Sequence, residues 1–202
     1  MKAMILAAGL GTRLRPRTNT RPKALVEINQ VPLLEIVLKR LVSAGVTEVI
    51  INVHHFANQI AEFLKAKANF GIRIELSYEE QLLDTGGGIK KTSYFFDDAK
   101  SFFVHNVDIL SDIDLNKMYR YHVSHGGLAT LAVNKRETSR YLIFDEEEKL
   151  CGWKSLKQNI NEIVRPPIGE TKLLGFCGIH VISPLLFEKM TEQGAFSIIT
   201  CY

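Results

Sequence analysis

Gly9 and Gly11, with Thr12, Arg13 and Arg15 behind them and Lys23 a short way on, are the residues of this chain best suited to chemistry. Glycines leave backbone N–H groups open to an approaching anion, because no Cβ stands in the way. Guanidinium and ammonium groups add the full charges that a bare glycine turn lacks. Arg13, Arg15, Arg17, Arg21 and Lys23 crowd this one stretch, whereas the whole chain carries a net charge of only +3. Charge so local suits a small anionic ligand, while nucleic acid asks for a broad basic face with interleaved aromatics. The pattern matches neither familiar nucleotide loop. Leu14 stands where a dinucleotide fingerprint needs its third glycine, and no Lys-Ser/Thr pair follows Gly11 as in a P-loop. A nicotinamide-dependent dehydrogenase is disfavoured further, since neither Glu27 nor Glu35 ends a clear second strand where a ribose-binding acid belongs. On the glycines alone, a tight strand-to-helix turn is an equal reading. Thr12-Arg13 directly after the turn and Pro22-Lys23 downstream move the balance to a triphosphate-binding loop.

The elements that must position this loop follow from periodicity. Residues 3–8 form an apolar run that reads as a buried first strand emptying into the glycine turn. Pro16 and Pro22 oppose a prompt helix, which predicts a long loop over the strand ends. Pro32 opens a helix with Leu33, Leu34, Val37, Leu38, Leu41 and Val42 on its apolar face, and Gly45 closes it. Residues 48–53 read as a strand covered on both faces, 58–68 as a second helix and 72–76 as a third strand. Asp84-Thr85-Gly86-Gly87-Gly88 reads as a turn before a helix from Ile89. Residues 101–104 make a fourth strand running into His105-Asn106-Val107-Asp108, and Asp114 caps a helix to about Ser124. Past residue 127 come strand-like segments at 128–133, 141–144, 150–153 and 173–182, with a short helix opening at Pro184.

The expected fold class is therefore α/β: a Rossmann-like open mixed sheet, mostly parallel, with helices on both faces and antiparallel strands added in the second half. The expected organisation is one domain over residues 1–202, with an alternating strand-helix half at 1–126 and a strand-rich half at 127–202.

Asp108 ends the fourth strand, so its carboxylate faces the crevice at the strand ends. A carboxylate beside a triphosphate is repelled unless a divalent cation sits between them, and Mg²⁺ uses one or two carboxylates plus phosphate oxygens. Asp108 is the candidate metal ligand, set against helix capping or a simple turn. Asn52, at a strand end, is either a base or ribose contact or a cap on the next turn. His54 and His55 read as surface or substrate-rim residues.

Leu6-Ala7-Ala8-Gly9-Leu10-Gly11-Thr12-Arg13-Leu14-Arg15-Pro16 with Pro22-Lys23 resembles the signature of the sugar-1-phosphate nucleotidyltransferases. The likeness continues at Ile51-Asn52, Asp84 to Ile89, Val104 to Asp108 and Phe176 to Gly178, and is greatest to small types such as N-acetylmuramate 1-phosphate uridylyltransferases and mannose 1-phosphate guanylyltransferases. The resemblance implies transfer of a nucleotidyl group from UTP or GTP to a sugar 1-phosphate, with pyrophosphate released. It implies that Ala8, Gly9, Gly11, Thr12 and Arg13 hold the triphosphate and that Lys23 neutralises phosphate at the reacting centre. Gly86 and Gly87 would lie against the base, with Asn52 beside them, and Gly178 close to the sugar. Arg13, Lys23 and Asp108 are the expected catalytic set, with Mg²⁺ on Asp108.

Two departures stand out. The family has glycine before the metal aspartate, where this chain has Val107. A second, late metal aspartate expected in a Trp-x-Asp-x-Gly-Thr segment is absent, so truncation before that segment is expected. A catalytically weak or inactive nucleotide-binding module is the alternative reading.

The remaining composition bounds the setting. Cys151, Cys177 and Cys201 form no CxxC pair and no zinc spacing, which favours reduced thiols. No apolar run approaches the roughly 18 residues of a membrane span. The apolar start is too short for a signal h-region. A cytoplasmic protein is expected, with no nucleic-acid or membrane partner and a homo-oligomer left open.

Overall fold

The structure, a computed structural model, describes residues 1–98 and 100–202. It divides into two compact units, residues 1–130 with 180–201, and residues 131–179.

The first unit is built on parallel strands. Strand β1 (Lys2–Leu6) leads through a loop with two short 3-10 turns, Thr12–Leu14 and Lys23–Leu25, to the small hairpin β2 (Glu27–Ile28) and β3 (Val31–Pro32). Helix α1 (Leu33–Ser43), β4 (Glu48–Val53), α2 (Ala57–Ala66) and β5 (Arg73–Tyr78) follow. Next come α3 (Asp84–Lys91), β6 (Phe102–Asn106) and α4 (Leu115–His125). Successive residues Ala3, Met4 and Ile5 of β1 are all fully buried, as are Val49, Ile50 and Ile51 of β4. Adjacent strand residues point to opposite faces, so both faces of the sheet are covered. The apolar stripe of α1, Leu34, Val37, Leu38 and Leu41, is buried as its 3.6 period requires.

The strand order is β6-β1-β4-β5, all parallel. From β1 the chain moves outward through β4 to β5, then returns to the other side of β1 as β6. That reversal makes the carboxyl end of β1 a topological switch point, where open α/β sheets bind ligands. Register levels the strand ends: Leu6 of β1 pairs with Asn52 of β4 and with Asn106 of β6. The segments leaving all three strands therefore converge.

One expectation fails in this unit. Asp84 to Gly88 is not a turn before a helix; these residues are the first five of α3 itself. Gly86, Gly87 and Gly88 are all buried within it.

The second unit is antiparallel, with order β10-β9-β8-β11. Strands β7 (Ala129–Asn134) and β11 (Lys172–Ile182) run between the units along the chain, with β8 (Arg140–Phe144), β9 (Leu150–Ser155) and β10 (Ile160–Ile163) between them. Strand β10 is not among the expected segments. Asp145, fully buried, ties the β8–β9 turn together: it accepts from the N–H groups of Glu147 (3.1 Å), Lys149 (2.9 Å) and Ile168 (3.3 Å) and from the Arg165 guanidinium (2.6 Å). Burial alone raises its pKa, but the N–H donors and Arg165 outweigh that and hold the carboxyl far below its usual range.

Candidate active site

A crevice of about 430 Å³ opens at the carboxyl ends of β1, β4 and β6. Its wall includes Ala8, Gly9, Arg13, Lys23, Asn52 and Asp108, so the structure brings six of the expected residues together. It also includes Glu79, Leu82, Asp84, Thr85 and Asn106, which the motif reasoning did not single out as site residues. Each of these ends or follows a parallel strand or starts the helix after one, which is the signal that points to them.

The glycine loop is held from behind. Gly11 sits at φ +65°, a left-handed conformation that glycine adopts at no steric cost. A Cβ there would lie 2.9 Å from the Thr18 methyl, while the Thr18 hydroxyl donates to the Gly11 carbonyl at 2.9 Å. Gly9 is open on all sides and exposed, with no atom within 4 Å of where a Cβ would stand. Gly11 thus shapes the loop, whereas Gly9 leaves clearance at the crevice. Thr12 and Arg13 lie in the first 3-10 turn, both exposed, and of the two Arg13 reaches the crevice wall.

Lys23 projects from the second 3-10 turn and forms a salt bridge with Asp108, with side chains 15% and 30% exposed. Val107 is buried and donates its N–H to the Leu6 carbonyl at 3.1 Å. It thereby prolongs the β1–β6 pairing by one step and sets where Asp108 leaves the sheet. Asp114 caps α4, accepting from the Lys117 N–H at 2.9 Å, so it is structural.

Asn52 is 3% exposed, and its amide is turned to protein rather than to the open crevice. Its Oδ1 accepts from the Ala7 N–H at 2.7 Å, and its Nδ2 donates to Glu79 at 2.7 Å. His54 is also committed to the scaffold: its Nδ1 donates to the Glu79 carbonyl at 2.7 Å.

Gly86 and Gly87 do not reach the crevice wall. The Gly86 N–H donates to the Phe196 carbonyl at 2.8 Å, and that of Gly87 reaches the same oxygen at 3.4 Å. A Cβ on Gly86 would run into the Phe196 ring, and one on Gly87 into the Gly194 carbonyl. Their lack of side chains serves packing against residues 194–198. Leu82, Asp84 and Thr85 form the crevice wall on that side instead. Gly178 belongs to the second unit, buried in β11 at φ +68°.

Asp108 is suited to a hard divalent cation. It is a partly exposed carboxylate facing a crevice, and Mg²⁺ takes one or two carboxylates with the remaining positions filled by phosphate and water. Among the described residues no group of three or more His, Cys, Asp or Glu side chains gathers to cage a metal. A cation here would depend on ligand oxygens.

The fold and crevice together define an α/β protein with a glycine loop at a parallel sheet's switch point. The nucleotidyl transferase family model matches residues 2–149, and the chain belongs to that family. It is 39% identical over 193 residues to a mannose-1-phosphate guanyltransferase of Gibberella zeae, covering 94% of this chain and 51% of that protein. A UTP--glucose-1-phosphate uridylyltransferase of Synechocystis is 38% identical over 205 residues, covering 93% of this chain and 50% of that protein. The chain spans about half the length of these curated relatives. The fold is also that of HddC from Yersinia pseudotuberculosis, solved complexed with GMP-PN, at a TM-score of 0.75, 23% identity, and coverage of 98% of this chain and 83% of that one. Among the described residues no helix is long and apolar enough to cross a membrane.

Proposed function

We propose that the chain transfers a nucleotidyl group from a nucleoside triphosphate, UTP or GTP, to a sugar 1-phosphate, giving a nucleoside diphosphate sugar and pyrophosphate. The observation that carries this reading is the meeting of Arg13, Lys23 and Asp108 around an open glycine loop in one crevice. The reactions named for the two curated relatives share this chemistry and differ in base and sugar.

In the proposed reaction a phosphate oxygen of the sugar attacks the α-phosphorus in line, and the bond to the departing pyrophosphate breaks. No general base is required, in keeping with the engagement of His54 in the scaffold. Gly9 and its neighbours offer N–H groups to the β- and γ-phosphates, and Arg13 draws charge toward the leaving group. Lys23 stands over the α-phosphate, where its ammonium offsets the charge building on equatorial oxygens. Asp108 would hold Mg²⁺, which when bound would supply Lewis-acid polarisation of the phosphate. Leu82, Asp84 and Thr85 flank the base. The protein acts as a soluble cytoplasmic enzyme in this reading.

The test is pyrophosphate release, measured over a matrix of UTP, GTP, CTP, ATP and dTTP against glucose, mannose and N-acetylated hexose 1-phosphates with Mg²⁺. Turnover with one or two pairs is expected. Absence of turnover with every pair, in protein that binds the triphosphates, would reduce the chain to a binding module.

A further inference from the structure

Two crevice groups, Asn52 and Glu79, are buried to 3% and 4% exposure and bonded to one another rather than presented to a ligand. We propose that Glu79 is a positioning residue that locks the phosphate loop to the start of α3 through Asn52. For its functional consequence this rests on the nucleotide reading above; the bracket itself is a matter of geometry.

The bonds converge on the Glu79 carboxylate from two sides. The Ala7 N–H donates to Asn52 Oδ1 at 2.7 Å, Asn52 Nδ2 donates to Glu79 Oε1 at 2.7 Å, and the Leu83 N–H donates to Glu79 Oε2 at 3.0 Å. Ala7 is the residue from which the glycine loop departs, and Leu83 immediately precedes α3. Both ends of the chain of bonds are backbone donors, so the side chains between them are dictated chemically. The first must accept from Ala7 and donate onward, which an amide does. The second must accept at both ends, which a carboxylate does and an amide cannot. Glutamine at 79 would turn an N–H₂ toward another donor whichever way it faced.

The rest of the neighbourhood is built around this contact. The Glu79 backbone is pinned by its own N–H to the Val53 carbonyl at 2.8 Å and by His54 Nδ1 to its carbonyl at 2.7 Å. Gly88 lies so close that a Cβ would stand 2.9 Å from both Asn52 Nδ2 and Glu79 Oε1. A glycine at that helix position lets α3 settle onto the bracket. The carboxylate has no salt-bridge partner among the described residues, so N–H donors alone satisfy it. Buried donors and acceptors of this kind hold one arrangement firmly when every member is paired, and fail together when one is not. The phosphate side and the base side of the crevice are thereby kept in fixed relation, and small misplacements of reacting groups cost rate steeply.

Reversing the polarity of the bracket tests it. The full 202-residue chain is compared with E79Q, N52D and the double variant N52D/E79Q. In the double variant the introduced aspartate accepts from Ala7 and from the glutamine Nε2, while the glutamine oxygen accepts from Leu83, so every bond is restored with the charge moved. Two readouts are taken: amide hydrogen exchange at Ala7 and Leu83 without nucleotide, and calorimetric affinity for Mg²⁺·UTP and Mg²⁺·GTP. Each single variant is expected to speed exchange at one or both amides at least about tenfold and to weaken nucleotide about tenfold to a hundredfold. The double variant is expected to return close to wild type in both. A double variant no better than the worse single, or an E79Q protein with wild-type exchange, overturns the proposal. If a single variant fails to fold, recovery of folding in the double supports the bracket and continued failure overturns it. If the wild type binds neither nucleotide, the functional reading falls, and exchange alone still decides the bracket.

Discussion

Lys23 and Asp108 are salt-bridged to each other across the crevice, so the ammonium neutralises the carboxylate that a cation would occupy. For Asp108 to hold a cation and Lys23 to meet phosphate, as the proposed reaction asks, this pair would have to open. Lys23→Met removes the competitor and the phosphate contact together. Its affinity for Mn²⁺ in the absence of nucleotide, followed by electron paramagnetic resonance, is expected to rise severalfold. Its rate of pyrophosphate release is expected to fall about a hundredfold to a thousandfold, the usual loss of one transition-state donor. Unchanged Mn²⁺ affinity would mean that Lys23 and the cation do not compete.

Asp108→Asn separates the two roles from the other side. The amide keeps the shape of the carboxylate while losing its charge, so Lys23 is freed and cation binding is weakened. Mn²⁺ affinity is expected to fall at least about tenfold, and the Mg²⁺ concentration for half-maximal pyrophosphate release to rise in step. Triphosphate binding measured without metal should hold steady or tighten, because one repelling charge has gone.

Much of this site is legible in the residues alone because strand ends and glycine loops are local features. The run through Ala3 to Ile5 had to be a strand covered on both faces, and its exit into Gly9 and Gly11 had to face the switch point. Asp108 followed from the next parallel strand. The start of α3 was illegible for a physical reason. Three successive glycines each disfavour helix by roughly 1 kcal/mol, and nothing nearby shows that a carbonyl from Phe196 will accept their N–H groups. Strand β10 is hidden similarly, since Asn161, Glu162 and Ile163 are exposed and only pairing with β9 makes them a strand. Asn52 read as a ligand contact or a cap because its partner Glu79 lies 27 positions away, and register brings the two together.

His105 and His180 set the acid limit of the first unit. Both are buried, to 1% and 0% exposure. Burial is the main cause that lowers the pKa of His105 to about 4, with Arg40 adding to it against the Asn106 carbonyl and Asp108. Burial also lowers His180 to about 3, with His105 adding to it. Both values lie below the unfolded value of about 6.5, so the unfolded chain binds more protons. Stability is therefore full above about pH 6.5 and declines as pH falls toward 4, by about 1.4 kcal/mol per pH unit for each histidine. Urea midpoints at pH 7.5, 6 and 5 should fall in that order. His180→Phe should shallow the dependence, and a flat profile in the wild type would contradict the burial of both rings.

The contact between Gly86 and Phe196 accounts for a glycine where helix propensity argues against one. A Cβ at residue 86 meets the Phe196 ring and approaches the Ile198 N–H at 3.0 Å, while the residue's own N–H is held by the Phe196 carbonyl. Neither the helix nor residues 196–198 can yield without breaking that bond. The Ile198 N–H is also fixed, donating to the Thr85 hydroxyl at 2.9 Å. Gly86→Ala is thus expected to cost about 1–3 kcal/mol by overpacking, despite alanine's better helix propensity. Phe196→Ala removes the obstructing ring and leaves the carbonyl in place. In that background the same Gly86→Ala change should cost under about 0.5 kcal/mol or become stabilising, because the added methyl fills space that the ring vacated. Urea unfolding of the four proteins yields the coupling directly. Additive costs would show that the ring is not what keeps residue 86 a glycine.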